Sequence, residues 1–347
     1  MAYTTINKSS EHFNTKLYTG NSGTQNITGL DFQPDFVWTK NRDDTWDNTF
    51  IDAVRGGTKY IRSNSTNAEA TNSTMITAFN SDGYTVGEHG DINRNNERNV
   101  SWNWLANGAG SANTAGSINS TVSANTTSGF SIVSYTGTGA NATVGHGLGS
   151  ASGLIILKNL TTNRNWQILH HKNTAAPATQ QLEFGTDATA TVTSQWNSVM
   201  PTSSVFSIGT NDSTNKSGNS FIAYCFAEKQ GYSKFGSYTG NGNADGTFIY
   251  TGFSSAFVMV KRIDSTSDWT IFDNKRSTSG GNNVIDKALY PNGNWAEGTG
   301  TAVDFTSTGF KWRVNSSAYN GSGSSYIYMA FAKAPLVGTN NVPANAR

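Results

Sequence analysis

The residue types that most often carry catalysis are few in this chain, and their spacing supports no catalytic set. There is one cysteine, Cys225, and there are five histidines. His170 and His171 are adjacent, and neighbouring side chains on a strand point to opposite faces, so the two could not meet at one metal ion. No pair of carboxylates and no Ser/His/Asp or Cys/His set stands at a supporting spacing. We therefore expect no enzyme activity and no cofactor.

Two loops imitate ligand-binding motifs without completing them. Gly145-His-Gly-Leu-Gly149 is rich in glycine like a phosphate loop, but it lacks the Lys-Ser/Thr ending and a helix after it. Asn241-x-Asn243-x-Asp245-Gly246 opens like a calcium loop, yet position twelve is Gly252 rather than the bidentate Glu. Both sequences therefore predict turns.

Carboxylates and tryptophans remain as binding candidates. Asp43, Asp44 and Asp47 crowd one loop and are the candidate cation ligands. Trp196 and Trp295 stand among Asn, Gly and Ser, where a core role is harder to explain. Aromatic faces beside amide and hydroxyl groups suit neutral sugars, so these two are the candidate ligand-binding residues.

The overall charge excludes several kinds of partner. The chain has 24 Lys+Arg against 23 Asp+Glu, which gives a formal net charge of +1 on 37.1 kDa. Such a balance provides no field for neutralising phosphates, so we expect no nucleic-acid binding. No apolar run approaches the ~18 residues of a membrane span, so we expect no membrane insertion and synthesis as a soluble chain in the cytoplasm.

Internal repetition is the strongest pattern in the sequence. A Tyr-Thr-Gly triplet begins at Tyr18, Tyr135 and Tyr238, and a lysine that closes an apolar run follows each tyrosine after 22, 23 and 23 residues. These lysines are Lys40, Lys158 and Lys261. The recurring anchors predict that the lysines occupy equivalent strand ends and have a structural role.

An Asp-x-x-Arg pattern recurs after the next predicted strand. It appears as Asp52 and Arg55 in the first copy and as Asp273 and Arg276 in the third, whereas the second copy has His170 in place of Asp. Because a carboxylate and a guanidinium three residues apart can pair across a turn, we interpret these residues as structural, with a polar ligand clamp as the alternative.

Each copy also has a tryptophan before this strand and an aromatic strand at its end. Trp46, Trp166 and Trp269 are interpreted as plugs at the end of a sandwich, with sugar stacking as the alternative. Alignment of the copies on the alanine that closes each final strand places Cys225 with Trp104 and Ala330. We expect Cys225 to be a small buried hydrophobe there.

Short runs of β-branched and aromatic residues, punctuated by Gly, Asn-Gly and Asp-Gly, predict strands and tight turns throughout. The fold class predicted is all-β, as three tandem β-sandwich (jelly-roll-like) domains produced by an internal triplicate repeat. The predicted domain boundaries are residues 1–112, 113–230 and 231–347.

Several long stretches resemble a domain of unknown function that is widespread in marine bacteriophages. They include Pro34-Asp-Phe-Val-Trp-Thr-Lys-Asn-Arg42, Asp52-Ala-Val-Arg-Gly56, Gly231-Tyr-Ser-Lys-Phe-Gly-Ser-Tyr-Thr-Gly-Asn-Gly242 and the closing Ala344-Asn-Ala-Arg347. The resemblance implies a virion protein of tail-fibre-like type and transfers no catalytic residue. At His170 the second copy departs from the family pattern.

Together these observations predict a structural protein on the surface of a phage virion, most simply a tail fibre or receptor-binding component for host attachment. The alternatives are a capsid decoration protein and, remotely, a glycan-cleaving enzyme. The expected partners are other virion proteins, a host-surface glycan and further copies of the chain. A trimer is favoured because phage fibres and capsid axes commonly offer threefold symmetry.

Overall fold

A computed structural model describes residues 4–280 and 283–334 of the chain, and the closing Ala344–Arg347 motif lies outside these residues. The described part is nearly all-β, with strands paired in antiparallel sheets. Its α-helices are two four-residue turns, α1 (Gly90–Asn93) and α2 (Asp212–Asn215). None of its helices has the length and apolar character needed to cross a membrane.

The strands fall into three consecutive groups, which are called the first, second and third units. The first unit contains β1 (Phe13–Thr19), β2 (Gln25–Thr28), β3 (Phe36–Asn41), β4 (Thr49–Asp52), β5 (Lys59–Arg62), β6 (Ala70–Thr71), β7 (Ile76–Asn80), β8 (Gly83–Val86) and β9 (Arg98–Trp104). The second contains β10 (Ser111–Asn113), β11 (Ser120–Asn125), β12 (Phe130–Thr136), β13 (Ala142–Gly145), β14 (Leu154–Asn159), β15 (Gln167–His170), β16 (Gln180–Gln181), β17 (Ala190–Thr191), β18 (Val205–Ile208) and β19 (Ser220–Phe226). The third contains β20 (Ser233–Thr239), β21 (Phe248–Tyr250), β22 (Ser254–Arg262), β23 (Trp269–Asp273), β24 (Ile285–Ala288), β25 (Gly298–Phe305), β26 (Gly309–Trp312) and β27 (Ser325–Ala334).

The same strand order occurs in all three units. One sheet of each unit contains the order β1-β9-β3-β4, β12-β19-β14-β15 or β20-β27-β22-β23. A smaller sheet pairs the strand after β1, β12 or β20 with a later strand of the same unit, in the orders β2-β8-β7, β13-β18 and β21-β26-β25-β24. The second unit differs by the strands β10 and β11, which extend its first sheet beyond β12. The sequence repeat is therefore a repeat of strand topology.

The three lysines occupy equivalent positions, as the anchor spacing predicted. Each lysine is the penultimate residue of its strand, which is β3, β14 or β22. Each lies opposite an aliphatic residue on the last strand; the pairs are Lys40 with Val100, Lys158 with Ile222, and Lys261 with Ile327.

Strand pairing corrects one part of the sequence alignment. Cys225 lies opposite Ile155 on β14, whereas the residue opposite the corresponding Val37 on β3 is Asn103, one position before Trp104. A slip of one residue moves a side chain to the other face of a sheet. Trp104 accordingly faces a core shared by all units, and Cys225 is buried in a core of the second unit alone. Cys225 is thus a buried small residue, as expected, but it is not the counterpart of Trp104.

Apolar side chains form one shared core and three separate ones. Each unit has an apolar core of its own. The opposite faces of the three larger sheets meet in the shared core, where Phe36 stacks on Tyr224 with 4.3 Å between ring centroids, Phe13 stacks on Phe331 at 5.0 Å, and Phe226 meets Phe331 at 6.1 Å. Each such aromatic pair contributes about 0.5–1.5 kcal/mol beyond area burial. The three units therefore pack as one body.

Candidate functional site

Polar groups at the boundaries between units form the most organised arrangement in the described part of the chain. Lys40, Lys158 and Lys261 are fully buried and donate to backbone carbonyls. They are called here the interunit lysines, because two of them donate across a boundary between units. The Lys158 Nζ lies 2.8 Å from the carbonyl oxygen of Thr66 in the first unit, and the Lys261 Nζ lies 2.9 Å from that of Thr186 in the second. Burial lowers the pKa of all three lysines to about 8.

Lys40 is bonded within its own unit, to the carbonyl oxygens of Asn41 at 2.6 Å and Asp44 at 3.2 Å. The contact between the first and third units is made instead by Asn48, whose Nδ2 donates to the carbonyl oxygen of Gly293 at 2.8 Å, and by an ion pair between Arg42 and Glu297 at 2.8 Å. The three units thus contact one another in a closed ring, in the order first, second, third and first again.

Two of the repeated tryptophans belong to this ring. The Trp166 indole donates to the carbonyl oxygen of Arg62 at 2.9 Å, and the Trp269 indole donates to that of Glu183 at 2.7 Å, in each case across a unit boundary. Both are buried, which removes them as platforms for a sugar. Asn48 stands at their equivalent position in the first unit, eight residues after the interunit lysine.

Trp46 is therefore not the counterpart of Trp166 and Trp269. Its ring packs on the first unit's own short helix, within 4.0 Å of a Cβ placed on Gly90, and the Arg94 guanidinium lies 4.9 Å from the ring centroid. The sequence comparison paired these tryptophans because each precedes the same strand, but Trp46 stands six residues after its lysine, whereas Trp166 and Trp269 stand eight residues after theirs.

The predicted Asp-x-x-Arg pairing is present in both copies that carry it. In the first unit, Arg55 Nε lies 2.6 Å from Asp52 Oδ2, and Arg55 Nη1 lies 3.2 Å from Glu69. In the third unit, the corresponding distances are 2.5 Å from Arg276 to Asp273 and 3.0 Å from Arg276 to Glu297. Glu69 and Glu297 are the third members that the sequence comparison missed.

The second unit replaces this charged set with three neutral side chains. Backbone hydrogen bonds identify the residues that correspond to Glu69. In each unit, one residue donates its N–H to the carbonyl oxygen of the residue two positions after an interunit lysine. The three bonds are Glu69 to Leu160 at 2.9 Å, Thr189 to Ile263 at 3.0 Å, and Glu297 to Arg42 at 2.8 Å. His170, Asn173 and Thr189 thus stand where the other units have Asp, Arg and Glu, and Thr189 Oγ1 donates to Asn173 Oδ1 at 2.7 Å. Burial lowers the pKa of His170 to about 3, so this set is uncharged near neutrality.

Each set also reaches the last strand of a neighbouring unit. The Tyr224 hydroxyl donates to Asp52 Oδ2 at 2.8 Å, and the Trp102 indole donates to Asp273 Oδ2 at 3.0 Å. His170 Nε2 lies 3.0 Å from the carbonyl oxygen of Tyr328. These positions therefore join the units, which agrees with a structural role.

Phe184 closes one end of the shared core. Its ring lies 6.0 Å from Trp38 and 6.2 Å from Phe50 in the first unit, 5.6 Å from Trp166 in the second, and 5.5 Å from Trp269 in the third. A point where three related units converge has room for one large side chain, which comes from the second unit. Sequence comparison did not find Phe184, because the other copies have no aromatic residue to match it.

The candidate cation ligands are directed to separate partners. Asp43 pairs with Arg98 at 2.5 Å, Asp44 accepts the backbone N–H of Thr45 at 2.7 Å, and Asp47 pairs with Arg62 at 2.8 Å. Within residues 4–280 and 283–334, no group of three or more His, Cys, Asp or Glu side chains could hold a metal ion.

The two candidate sugar-binding tryptophans differ in exposure. Trp196 is completely buried in the second unit's own core, so its prediction as a surface platform is wrong. Trp295 is 47% exposed, and Tyr290 meets it edge to face with 5.4 Å between ring centroids. The ring of Trp295 covers Gly293, where a Cβ would approach it to 2.2 Å. Trp295 can therefore present an aromatic surface to a ligand.

The described part of the chain is thus nearly all-β, with several antiparallel sheets that meet in a common apolar core. The chain matches the family described as "Domain of unknown function (DUF7483)" over residues 8–335, and it belongs to that family. The match spans all three units. No curated protein matches the chain.

Proposed function

We propose that this protein is a structural protein of a bacteriophage virion surface, most simply a tail fibre or receptor-binding component that attaches the particle to its host. The observation that carries the proposal is the closed ring of three related units around one aromatic core. A body joined by buried contacts holds its exposed loops in fixed positions, as an attachment protein requires. The resemblance of the sequence to marine phage proteins supports the same proposal.

The three units are, in this proposal, tandem β-sandwich domains of an internal triplicate, with boundaries near residues 112 and 230. Their common strand order and separate cores support this division. The shared core also joins them, because each larger sheet is covered on one face by the other two units.

Capsid decoration is the second candidate function. A single chain with three related units in a ring has approximate threefold symmetry, so one copy could sit on a threefold position of a shell. The ring also supplies within one chain the contacts that a homotrimer would make. Sedimentation at micromolar concentration separates a single 37.1 kDa chain from the trimer that a fibre would form.

Binding to cells and to capsids distinguishes the two functions. Labelled protein is offered to host cells and to emptied capsids in the same buffer at low and high salt. For a receptor-binding component we expect saturable cell binding that changes little with salt, since the formal charge is only +1. Trp295→Ala should weaken cell binding, with Val199→Ala as the control at a 45% exposed apolar side chain.

Saturable capsid binding without cell binding would overturn the attachment function and favour decoration. Release of sugar from host envelopes would contradict a purely structural role and favour the glycan-cleaving alternative.

A further inference from the structure

An open cleft in the third unit lies between the start of β20 and the end of β21. Its lining includes Glu228, Gln230, Gly231, Lys234, Tyr250 and Gly252, and its volume is about 410 Å³. Ligand sites for small molecules have volumes of roughly 300–1,000 Å³. The cleft is therefore large enough for one or two sugar rings.

In the second unit, other residues occupy the position that corresponds to this cleft. Strand pairing makes Gly145 and Gly147 the counterparts of Tyr250 and Gly252. A Cβ on Gly145 would lie 2.0 Å from Asn113 Oδ1, and a Cβ on Gly147 would lie 2.9 Å from the side chain of Val122. The preceding segment, with β10 and β11, therefore fills this cleft in the second unit.

The connection between units explains the difference. Twenty-five residues separate β9 from β12, which is enough chain to form β10 and β11, whereas six residues separate β19 from β20. The short connection cannot supply a covering hairpin. Its residues Glu228, Gln230 and Gly231 instead form one wall of the cleft.

The walls carry groups that suit a polyhydroxyl ligand. Tyr250 is 64% exposed, and its ring offers a flat apolar surface. The Phe235 backbone N–H donates to Glu228 Oε1 at 2.7 Å and fixes that carboxylate, while Lys234 Nζ lies 3.7 Å from Glu228 Oε2. The acid and the base balance in charge, so the cleft favours a neutral ligand over an anion.

The geometry points to a binding site for a neutral saccharide in this cleft, with one sugar ring stacked on Tyr250 and its hydroxyls bonded to Glu228, Lys234 and Gln230. Aromatic faces beside hydrogen-bonding groups are the arrangement that sugars require. The inference rests on the proposed attachment function in one respect: it names the class of host-surface molecule that the protein would recognise.

The strand that carries Tyr250 offers a matched control. Phe248 lies two residues earlier on β21, is 47% exposed, and does not line the cleft. Saturation-transfer NMR is performed on the full chain with two neutral probes, a glucose disaccharide and an N-acetylglucosamine disaccharide, and with a uronic acid disaccharide. We expect transfer to at least one neutral probe at a roughly millimolar dissociation constant, a loss of at least fivefold in Tyr250→Ala, and no loss in Phe248→Ala.

Two further results separate this inference from the attachment function. Neutral probes that give no transfer, or equal transfer with the unchanged chain and with Tyr250→Ala, overturn the saccharide site even if cells are bound. Transfer that depends on Tyr250 in a chain that binds no host cells supports the site and removes the attachment function. Preference for the uronic acid probe would overturn the assignment to neutral sugars. Unchanged thermal unfolding of both variants shows that the fold is intact.

Discussion

Removal of the Asp52 carboxylate should be among the most destabilising single changes in the first unit. Arg55 has a side chain only 3% exposed, and besides Asp52 it bonds to Glu69, to the carbonyl oxygen of Phe50 and to the Tyr224 hydroxyl. The neighbouring negative groups raise its pKa above the usual value despite burial, so the guanidinium stays charged. Asp52→Ala would leave this buried cation without its closest partner.

Loss of one partner from a buried ion pair costs about 3–5 kcal/mol when the remaining charge is left uncompensated. Arg55 would keep its pair with Glu69, so we expect a loss at the lower end of that range, about 3 kcal/mol. At roughly 3 kcal/mol per M for a large domain in urea, the unfolding midpoint should fall by about 1 M. Asp212→Ala is the matched control, because Asp212 forms an ion pair with Arg164 at the surface. The Asp212 side chain is 50% exposed and that of Arg164 is 38% exposed, so this pair should contribute at most ~1 kcal/mol to stability.

The second unit provides a sharper test of the same reasoning. The triple replacement Asp52→His, Arg55→Asn and Glu69→Thr introduces the neutral set found at His170, Asn173 and Thr189. It should recover more than half of the loss, because no buried charge remains unpaired. Urea unfolding is followed by tryptophan fluorescence and near-ultraviolet circular dichroism. The argument is refuted if Asp52→Ala costs no more than Asp212→Ala, or if the triple variant is less stable than the single one.

Three other predictions concern the core and the buried ionisable groups. In a Cys225→Ala background, the free energy of unfolding should rise from about pH 8 to pH 9.5. The interunit lysines have pKa values of about 8 in the folded chain and near 10.5 in the unfolded chain. The unfolded chain therefore binds more protons in this pH range, which makes the folded state more stable as the pH rises. Urea midpoints measured at several pH values check this, and a falling midpoint would contradict it. Phe184→Ala should lower the free energy of unfolding by about 3–5 kcal/mol, because the Phe184 ring is packed between all three units. A loss below ~1 kcal/mol in urea unfolding would show that Phe184 does not hold the units together. Burial raises the pKa of the Cys225 thiol, so a thiol reagent should modify it only in denaturant, and rapid reaction of the native chain would disprove its burial.

Local sequence accounts for the strands, the repeat and the pairs of residues close along the chain. Asp52 and Arg55 are three residues apart, so a turn brings them together whatever surrounds it. The interunit lysines follow from constant spacing between strands. Their partners in other units, such as Thr66 for Lys158, had no pattern to reveal them, because these contacts join positions 92 residues apart.

Tertiary structure decided which surfaces are covered. Alternation along a strand separates two faces, but each large sheet here is buried on both, by its own small sheet and by the other units. Trp196 stands among polar residues and yet is fully buried, whereas Trp295 stands in similar surroundings and is exposed. Their neighbours in sequence are alike, and the difference comes from distant strands that cover one ring and leave the other in solvent. The sequence by itself indicated an all-β chain with three lysines at equivalent strand ends, and only the packing of the strands decided which aromatic rings stabilise the core and which can meet a ligand, because burial depends on groups far away along the chain.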